Sequence, residues 1–141
     1  MSTFAIDLER GVDVEKKVLK RVCKSYPCAT LINGFKGYDI WVPEKDYGIE
    51  VKYDPMSNDT GNYLIEIEYN DKISALMTTT AKWWVLYDDN IFLLIKPIKI
   101  IECIFMNKLQ YLQFVGSGDS QAKKAFLIKK DMLLKYGKVI T

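Results

Sequence analysis

Two runs of β-branched and aromatic residues, separated by a short polar connection, form the clearest pattern in the chain. The first run covers residues 37–42, the second covers residues 47–53, and the polar residues 43–46 join them. Apolar positions that alternate with polar ones on both sides of a proline-containing loop predict a β-hairpin. The sequence therefore predicts two antiparallel strands whose register is set by a loop of four residues.

The predicted register brings two acidic residues together. A four-residue loop without a bulge pairs Val42 with Tyr47. Counting back three residues on each strand places Asp39 directly opposite Glu50, with Cβ atoms about 5 Å apart. Two carboxylates at that separation repel each other unless a cation lies between them. Because side chains alternate between the faces of a strand, Lys52 lies on the same side as Glu50, and we expect one shared site.

The residue types at this site are suited to magnesium chemistry on a phosphate. Magnesium prefers oxygen ligands and usually takes one or two protein carboxylates, which leaves positions for water and for phosphate oxygens. We expect Asp39 and Glu50 to bind Mg²⁺ or Mn²⁺, and Lys52 to contact the scissile phosphate or the attacking water. The chain contains no histidine, which excludes Ser-His-Asp and Cys-His hydrolysis. A metal-activated water is therefore the expected nucleophile.

The combination of Asp39 with Glu50 and Lys52 resembles the PD-(D/E)xK nuclease superfamily, which is named for an Asp on one strand and a Glu-x-Lys on the next. Tyr38 stands where the superfamily often has proline. Members commonly add an acidic residue from the helix before the first strand, and the resemblance makes Glu15 the candidate fourth catalytic residue. A helical ion pair with a neighbouring Lys or Arg is the structural alternative for Glu15.

Two further segments are similar to a virus-associated or mobile-element-associated branch of this superfamily. Residues 60–69 contain the Thr-Gly-Asn that precedes an Ile-Glu-x-Glu strand in that branch. Residues 74–84 are similar to its Gly-Ile-Ser-Thr-Thr and Ala-Asp-Trp/Tyr-Trp stretches, except that Ala75 replaces the glycine and Lys82 replaces the aspartate. The resemblance covers roughly residues 11–96.

Length and pattern together predict the architecture. A chain of 141 residues is of single-domain size, and we expect one nuclease-like domain over residues 1–141. The resemblance implies an α/β fold with a restriction-endonuclease-like core, in which helices flank a central mixed β-sheet in the order α-β-β-β-…-α-β. The pattern predicts a helix over 13–25, a helical or irregular stretch over 97–107, and strands over 28–32, 63–69, 83–87 and 91–95. It predicts turns or loops over 33–37, 54–62, 88–90 and 116–118, and a helix cap among Thr78, Thr79 and Thr80.

Five other residues have both a functional and a structural interpretation. Glu66 and Glu68 share one strand face and could reach the metal or orient water, although the exposed face of an outer strand also explains them. Lys82 is a second candidate for a phosphate contact, or an ordinary surface lysine. Trp83 and Trp84 are more typical of a core than of a platform for stacking bases.

Substrate class rests on where the basic residues lie, because a net charge of +2 is too small to indicate a nucleic-acid partner. Basic residues cluster in the first helix and in the last segment of the chain. Among them, the residues that we expect to contact DNA phosphates are Lys16, Lys20, Lys24, Lys123 and Lys124. Such contacts would give salt-sensitive affinity for the DNA backbone. A solvated helix face is the alternative.

Cysteine content and hydropathy indicate the setting in which the protein works. Cys23, Cys28 and Cys103 are odd in number and lack a Cys-x-x-Cys spacing, so we expect reduced, buried thiols. The sequence has no leader-like segment and no apolar run of about 20 residues. We expect a cytoplasmic protein, in the host cell if it is viral, that needs no membrane and no small-molecule cofactor.

The function expected from these observations is a divalent-metal-dependent DNA endonuclease. A body of this size has little room for a separate sequence-reading domain, so cutting both strands of a duplex favours a homodimer. Duplex, branched and single-stranded DNA all remain open as substrates. The alternatives are a catalytically silent member of the same fold that binds nucleic acid or holds a complex together, and a nuclease that acts on RNA.

Overall fold

A computed structural model describes residues 3–35, 37–116 and 118–140, with side chains described from Arg10 onward. The helices are α1 (Thr3–Cys23), α2 (Ser57–Thr60), α3 (Pro97–Met106) and α4 (Lys130–Leu133). The strands are β1 (Thr30–Leu31), β2 (Ile40–Val42), β3 (Tyr47–Tyr53), β4 (Asn62–Tyr69), β5 (Lys72–Ile73), β6 (Trp83–Tyr87), β7 (Phe92–Ile95), β8 (Leu112–Phe114), β9 (Lys123–Lys129) and β10 (Lys138–Ile140). Single 3-10 turns span Ala75–Met77 and Leu134–Tyr136.

The strands form two sheets. The larger sheet has six strands in the order β1-β2-β3-β6-β7-β10. Its β3 and β6 run parallel while its other neighbours are antiparallel, so it is the mixed sheet that the sequence predicts. The smaller sheet has the order β5-β4-β9-β8 and is antiparallel throughout. The fold is therefore mixed α/β, with a second sheet that the sequence pattern does not predict.

Apolar side chains cover both faces of the larger sheet. On one face, Val14 and Val18 of α1 pack against a cluster that includes Ile40 and Ile49. On the other face, Trp84 and Leu86 of β6 share a cluster with residues from the smaller sheet and from α3, among them Tyr63, Ile65, Ile128 and Ile100. The larger sheet is thus held between one helix and a layer made of a helix and a sheet.

Several predicted elements are confirmed with adjusted boundaries. The helix predicted from residue 13 begins ten residues earlier, at Thr3. Gly11 lies inside it, at a cost of about 1 kcal/mol relative to alanine, which the packing of α1 on the sheet outweighs. The strand predicted over 28–32 is shortened to β1. The elements β4, β6, β7 and α3 lie where the pattern predicts them.

Other local predictions are wrong or fall outside the described residues. The segment 54–62 is not a simple loop, because it contains α2 and the buried residue Ser57. None of the three threonines predicted as a helix cap begins a helix in the described chain; Thr78 lies at the C-cap of the 3-10 turn Ala75–Met77, where its N–H donates to the Ala75 carbonyl at 3.1 Å. Instead, the Thr79 hydroxyl accepts a hydrogen bond from Trp84 Nε1 at 3.0 Å and one from the Ala81 N–H. The predicted turn at 33–37 and the predicted loop at 116–118 each include one residue, Lys36 and Ser117, outside the described residues.

The cysteines are free, but they are not all buried. Cys103 is buried and Cys23 is half-buried, whereas Cys28 is exposed, because it lies in the turn that follows α1. The prediction of three buried thiols is therefore wrong for Cys28. Within the residues that the structure describes, no helix has the length and hydrophobicity needed to cross a membrane.

Candidate active site

The hairpin formed by β2 and β3 has the predicted register. Val42 pairs with Tyr47, and the ladder continues to the pair of Ile40 with Ile49. One residue further on, Asp39 leaves the regular ladder. Its N–H donates to the Ile49 carbonyl at 2.9 Å, and its carboxylate accepts the Val51 N–H at 2.7 Å. The Asp39 side chain therefore replaces a backbone acceptor at the end of the ladder, which fixes its carboxylate against β3.

Glu50 comes next to Asp39 from the neighbouring strand. Its side chain is only 14% exposed, and the two carboxyl groups are close enough to hydrogen-bond. Burial is the main cause that raises the pKa of Glu50 to about 8, and the negative charge of Asp39 adds to the rise while Lys52 opposes it. At neutral pH, Glu50 therefore holds a proton when no cation takes its place.

Glu15 extends the cluster from the helix. It lies on α1, which packs on the face of the sheet opposite to Glu50, and its carboxyl reaches Asp39 within hydrogen-bonding distance. Burial raises the pKa of Glu15 to about 7, with a further contribution from the charge and hydrogen bond of Asp39. The structure thus brings the predicted fourth residue to the site, and Asp39 stands between the two glutamates.

Lys52 completes the predicted set. Its Nζ lies 3.6 Å from Glu50 Oε1, and its side chain is 40% exposed. Its Nζ also lies 5.5 Å from the centroid of the Trp84 ring. The ammonium group is therefore held next to the carboxyl groups by an ion pair and an aromatic face, and it is still open to solvent.

The donor set at this site suits a hard divalent cation. Asp39, Glu50 and Glu15 offer only oxygen atoms, the ligands that Mg²⁺ and Mn²⁺ prefer, and Mg²⁺ usually needs no more than two carboxylates. Burial is the main cause of the raised pKa values of both glutamates, and the negative charge of Asp39 adds to it; a bound cation would offset both effects. Among the described residues, no three or more Asp, Glu, Cys or His side chains are placed so that they could bind one metal ion together. Asp39 and Glu50 remain the pair of candidate ligands.

The second-rank glutamates lie outside the pair of Asp39 and Glu50, although Glu66 lines a crevice that Lys52 also lines. Glu66 and Glu68 are on β4 of the smaller sheet. This strand lies between β5 and β9, so it is not an outer strand. Glu66 accepts the Ser74 hydroxyl at 2.7 Å and pairs with Lys123, while Glu68 pairs with Lys124. These contacts give both glutamates a structural role across the β4–β9 pair.

Lys82 also lies apart from the carboxyl cluster. It precedes β6, and its Nζ lies 5.3 Å from the centroid of the Tyr47 ring, next to the hairpin loop. Trp84 is in the core, as predicted, and Trp83 is half-buried with Lys96 Nζ 5.0 Å from its ring centroid.

The candidate DNA-binding lysines fall into two groups. On α1 and in the turn after it, Lys16, Lys20 and Lys24 are exposed to solvent. On β9, Lys123 and Lys124 are half-buried and face acidic partners, with Lys123 Nζ 2.9 Å from Asp119 Oδ2 and Lys124 Nζ 3.1 Å from Glu68 Oε2. The first group therefore presents unburied positive charge, whereas much of the charge of the second group is neutralised within the protein.

A crevice that sequence reasoning did not find begins at Lys52. It has a volume of about 210 Å³, and residues of both sheets line it, including Trp84, Tyr63 and Asp54. Its residues come from four separate segments of the chain, so no local pattern reveals it. The nearest signal was the alternation of β4, which marks Tyr63 as an inward-facing position.

Comparison of the chain with protein-family models, with curated proteins and with solved structures gives no match.

Proposed function

We propose that the protein is a Mg²⁺- or Mn²⁺-dependent DNA endonuclease that hydrolyses phosphodiester bonds, in the manner of the PD-(D/E)xK superfamily that its sequence resembles. One observation carries the proposal. The Asp39 carboxylate, fixed to the end of a hairpin, lies next to the half-buried carboxyl of Glu50 with the Lys52 ammonium beside it. A carboxyl pair that is largely withdrawn from water is costly without a cation, so a merely structural role explains it poorly.

Each residue has a distinct task in this proposal. Asp39 and Glu50 would hold the cation, and Glu15 would orient Asp39 or accept a proton. When bound, a divalent cation lowers the pKa of water and neutralises charge on a phosphate. Lys52, exposed and positively charged, donates hydrogen bonds to a non-bridging phosphate oxygen and stabilises the negative charge that grows there.

The backbone of the substrate would meet the exposed basic residues of α1. Lys16 and Lys20 are exposed on α1, the helix that also supplies Glu15, and Lys24 is exposed in the turn that follows it. Contacts of lysines with phosphates give affinity that falls with salt and depends little on sequence. A homodimer remains our expectation for cutting both strands, because one copy carries one such carboxyl pair.

The proposal is tested by incubating the protein with plasmid, linear duplex, single-stranded and four-way-junction DNA in Mg²⁺, Mn²⁺ or EDTA. The variants are Lys52→Ala and a matched control, Lys99→Ala. The control lysine is similarly exposed and also pairs with a glutamate, but it lies on α3 away from the site. We expect cutting that requires the metal, falls at least about 100-fold in Lys52→Ala, and is unchanged in Lys99→Ala.

Two other results would decide against this function. DNA that is bound but not cut under any condition would favour the silent binding member of the fold. Cutting of matched RNA but not of DNA would identify an RNA nuclease, since only RNA offers a 2′-hydroxyl group.

A further inference from the structure

The helix α3 is apolar on two opposite faces. Its inner face, with Ile100 and Cys103, belongs to the core that it shares with the two sheets. Its outer face carries Ile98, Phe105 and Met106, which are 63%, 77% and 70% exposed. A helix that is apolar all round is normally buried, and exposed apolar patches mark interaction sites. The outer face of α3 therefore has the composition of an interface.

Spacing along α3 places the exposed residues in one stripe. Ile98, Glu102 and Phe105 are separated by four and three positions, so they share one side of the helix. Lys99 lies beside this stripe, and its Nζ is 2.8 Å from Glu102 Oε2. The stripe is therefore apolar at both ends, with an acidic residue at its centre and a basic residue next to that centre.

The charge of Glu102 decides which partner fits the stripe. A nucleic-acid backbone would be repelled by a carboxylate in the middle of the contact. A lipid surface would have to accept the same carboxylate between two inserted apolar side chains, which is costly. A surface with apolar side chains at both ends and a basic group near the middle avoids both problems. The outer face of α3 itself has these features.

We propose that the outer face of α3 binds the same face of a second copy of the chain, in an antiparallel helix pair about a twofold axis. Such a contact is isologous, because the same patch of both copies forms it. An axis midway between Ile98 and Phe105 sets Ile98 of each copy against Phe105 of the other. With a rise of about 1.5 Å per residue, each Glu102 then lies between the Lys99 side chains of the two copies.

This dimer does not depend on the nuclease function, because the inference rests on α3 alone. It would supply the two carboxyl pairs that cutting both strands of a duplex requires. A contact made mainly by one helix of ten residues is small, and interfaces below about 1,200 Å² are typical of transient association. The dimer should therefore dissociate on dilution.

The test is sedimentation equilibrium of the full chain at a series of concentrations. The monomer has a mass of 16.3 kDa, and the average mass of the wild type should rise towards twice that value. Ile98→Asp, a change at a largely exposed position that leaves the fold intact, should weaken the dimer at least about 100-fold. Its matched control is Ile73→Asp, which should associate like the wild type. Ile73 is similarly exposed, at 61%, but lies on β5 of the smaller sheet.

A second set of variants tests the arrangement of charges around the axis. Glu102→Lys leaves only positive charges there and should weaken the dimer about tenfold or more. The double variant Lys99→Glu with Glu102→Lys restores opposite charges and should associate within about threefold of the wild type. Lys99→Ala alone should weaken the dimer only a few-fold, because exposed ion pairs contribute little.

Three results would overturn the proposal. If Ile98→Asp associated like the wild type, the interface would lie elsewhere. If the double variant stayed as weak as Glu102→Lys, the antiparallel arrangement would be wrong. If the wild type remained a monomer at every concentration, α3 would not pair with itself; binding of that monomer, but not of Ile98→Asp, to vesicles of phosphatidylcholine and phosphatidylglycerol would then identify the stripe as a lipid-binding face.

Discussion

Replacing Glu50 with glutamine should make the metal-free protein more stable at high pH. Glu50 is half-buried next to Asp39, with 14% of its side chain exposed, and its pKa rises from 4.5 to about 8 on folding. Such a carboxyl group binds its proton more tightly in the folded state than in the unfolded state. It does not lower the free energy of unfolding while it is protonated in both states, below about pH 4.5. As the pH rises further, the carboxyl group lowers the free energy of unfolding progressively. The loss is complete above about pH 8, where the group is ionised in both states.

The size of the effect follows from the pKa. Each pKa unit corresponds to about 1.4 kcal/mol, so the rise from 4.5 to about 8 gives an upper value of about 5 kcal/mol. By linkage, about 2 kcal/mol of this is present near pH 6 and about 4 kcal/mol near pH 8. Glutamine keeps the shape of the side chain without the charge. The substitution also removes the ion pair with Lys52. Because the Lys52 side chain is 40% exposed, this lowers the free energy of unfolding by at most about 1 kcal/mol.

The measurement is urea unfolding in EDTA at about pH 5, 7 and 9 for the wild type, Glu50→Gln and Glu102→Gln. Glu102 is a surface residue of α3 whose side chain is 46% exposed, and it serves as the control. The free energy of unfolding of Glu50→Gln should exceed that of the wild type by a margin that widens with pH, while the control follows the wild type. If Glu50→Gln and the wild type changed in parallel with pH, the buried carboxyl pair would not exist as described.

Three further predictions concern the metal, the hairpin and the loop next to the site. Mg²⁺ should raise the melting temperature of the wild type but not of Asp39→Asn, and the rise should grow with pH because protons compete for the same carboxylates; equal stabilisation of both proteins would place the metal elsewhere. Gly48→Ala should cost about 1–3 kcal/mol in a denaturation experiment and weaken Mg²⁺ stabilisation, because the added Cβ overlaps the Tyr38 side chain next to the site. Lys130→Met should cost about 3–5 kcal/mol, because it leaves the Asp88 carboxylate buried without its cation; a loss under about 1 kcal/mol would show that the pair is open to water.

The hairpin that carries the site was predictable because its determinants are local. Alternation on both strands and the length of the loop fix the pair of Val42 with Tyr47, and period-two geometry then brings Asp39 next to Glu50. The departure of Asp39 from the ladder was not predictable. It depends on a side-chain carboxylate accepting the Val51 N–H in place of a backbone carbonyl.

The smaller sheet could not be derived from local patterns, because β4 pairs with β9 across a wide separation in sequence. From the sequence alone, Lys123 and Lys124 therefore predict contacts with DNA phosphates. In the fold, Lys123 and Lys124 face Glu66 and Glu68 on the neighbouring strand. Two acidic residues on the strand predicted over 63–69, and two basic residues in the later segment that forms β9, are a signal of cross-strand pairing.

The most direct test of the account is a titration of DNA cleavage with Mn²⁺, measured in single turnovers for the wild type, Asp39→Asn and the Lys99→Ala control. The account predicts a rate that rises to saturation with Mn²⁺ in the wild type and the control, and no cleavage at any Mn²⁺ concentration in Asp39→Asn. Cleavage by Asp39→Asn with the wild-type metal dependence, or cleavage by the wild type in EDTA, would contradict it.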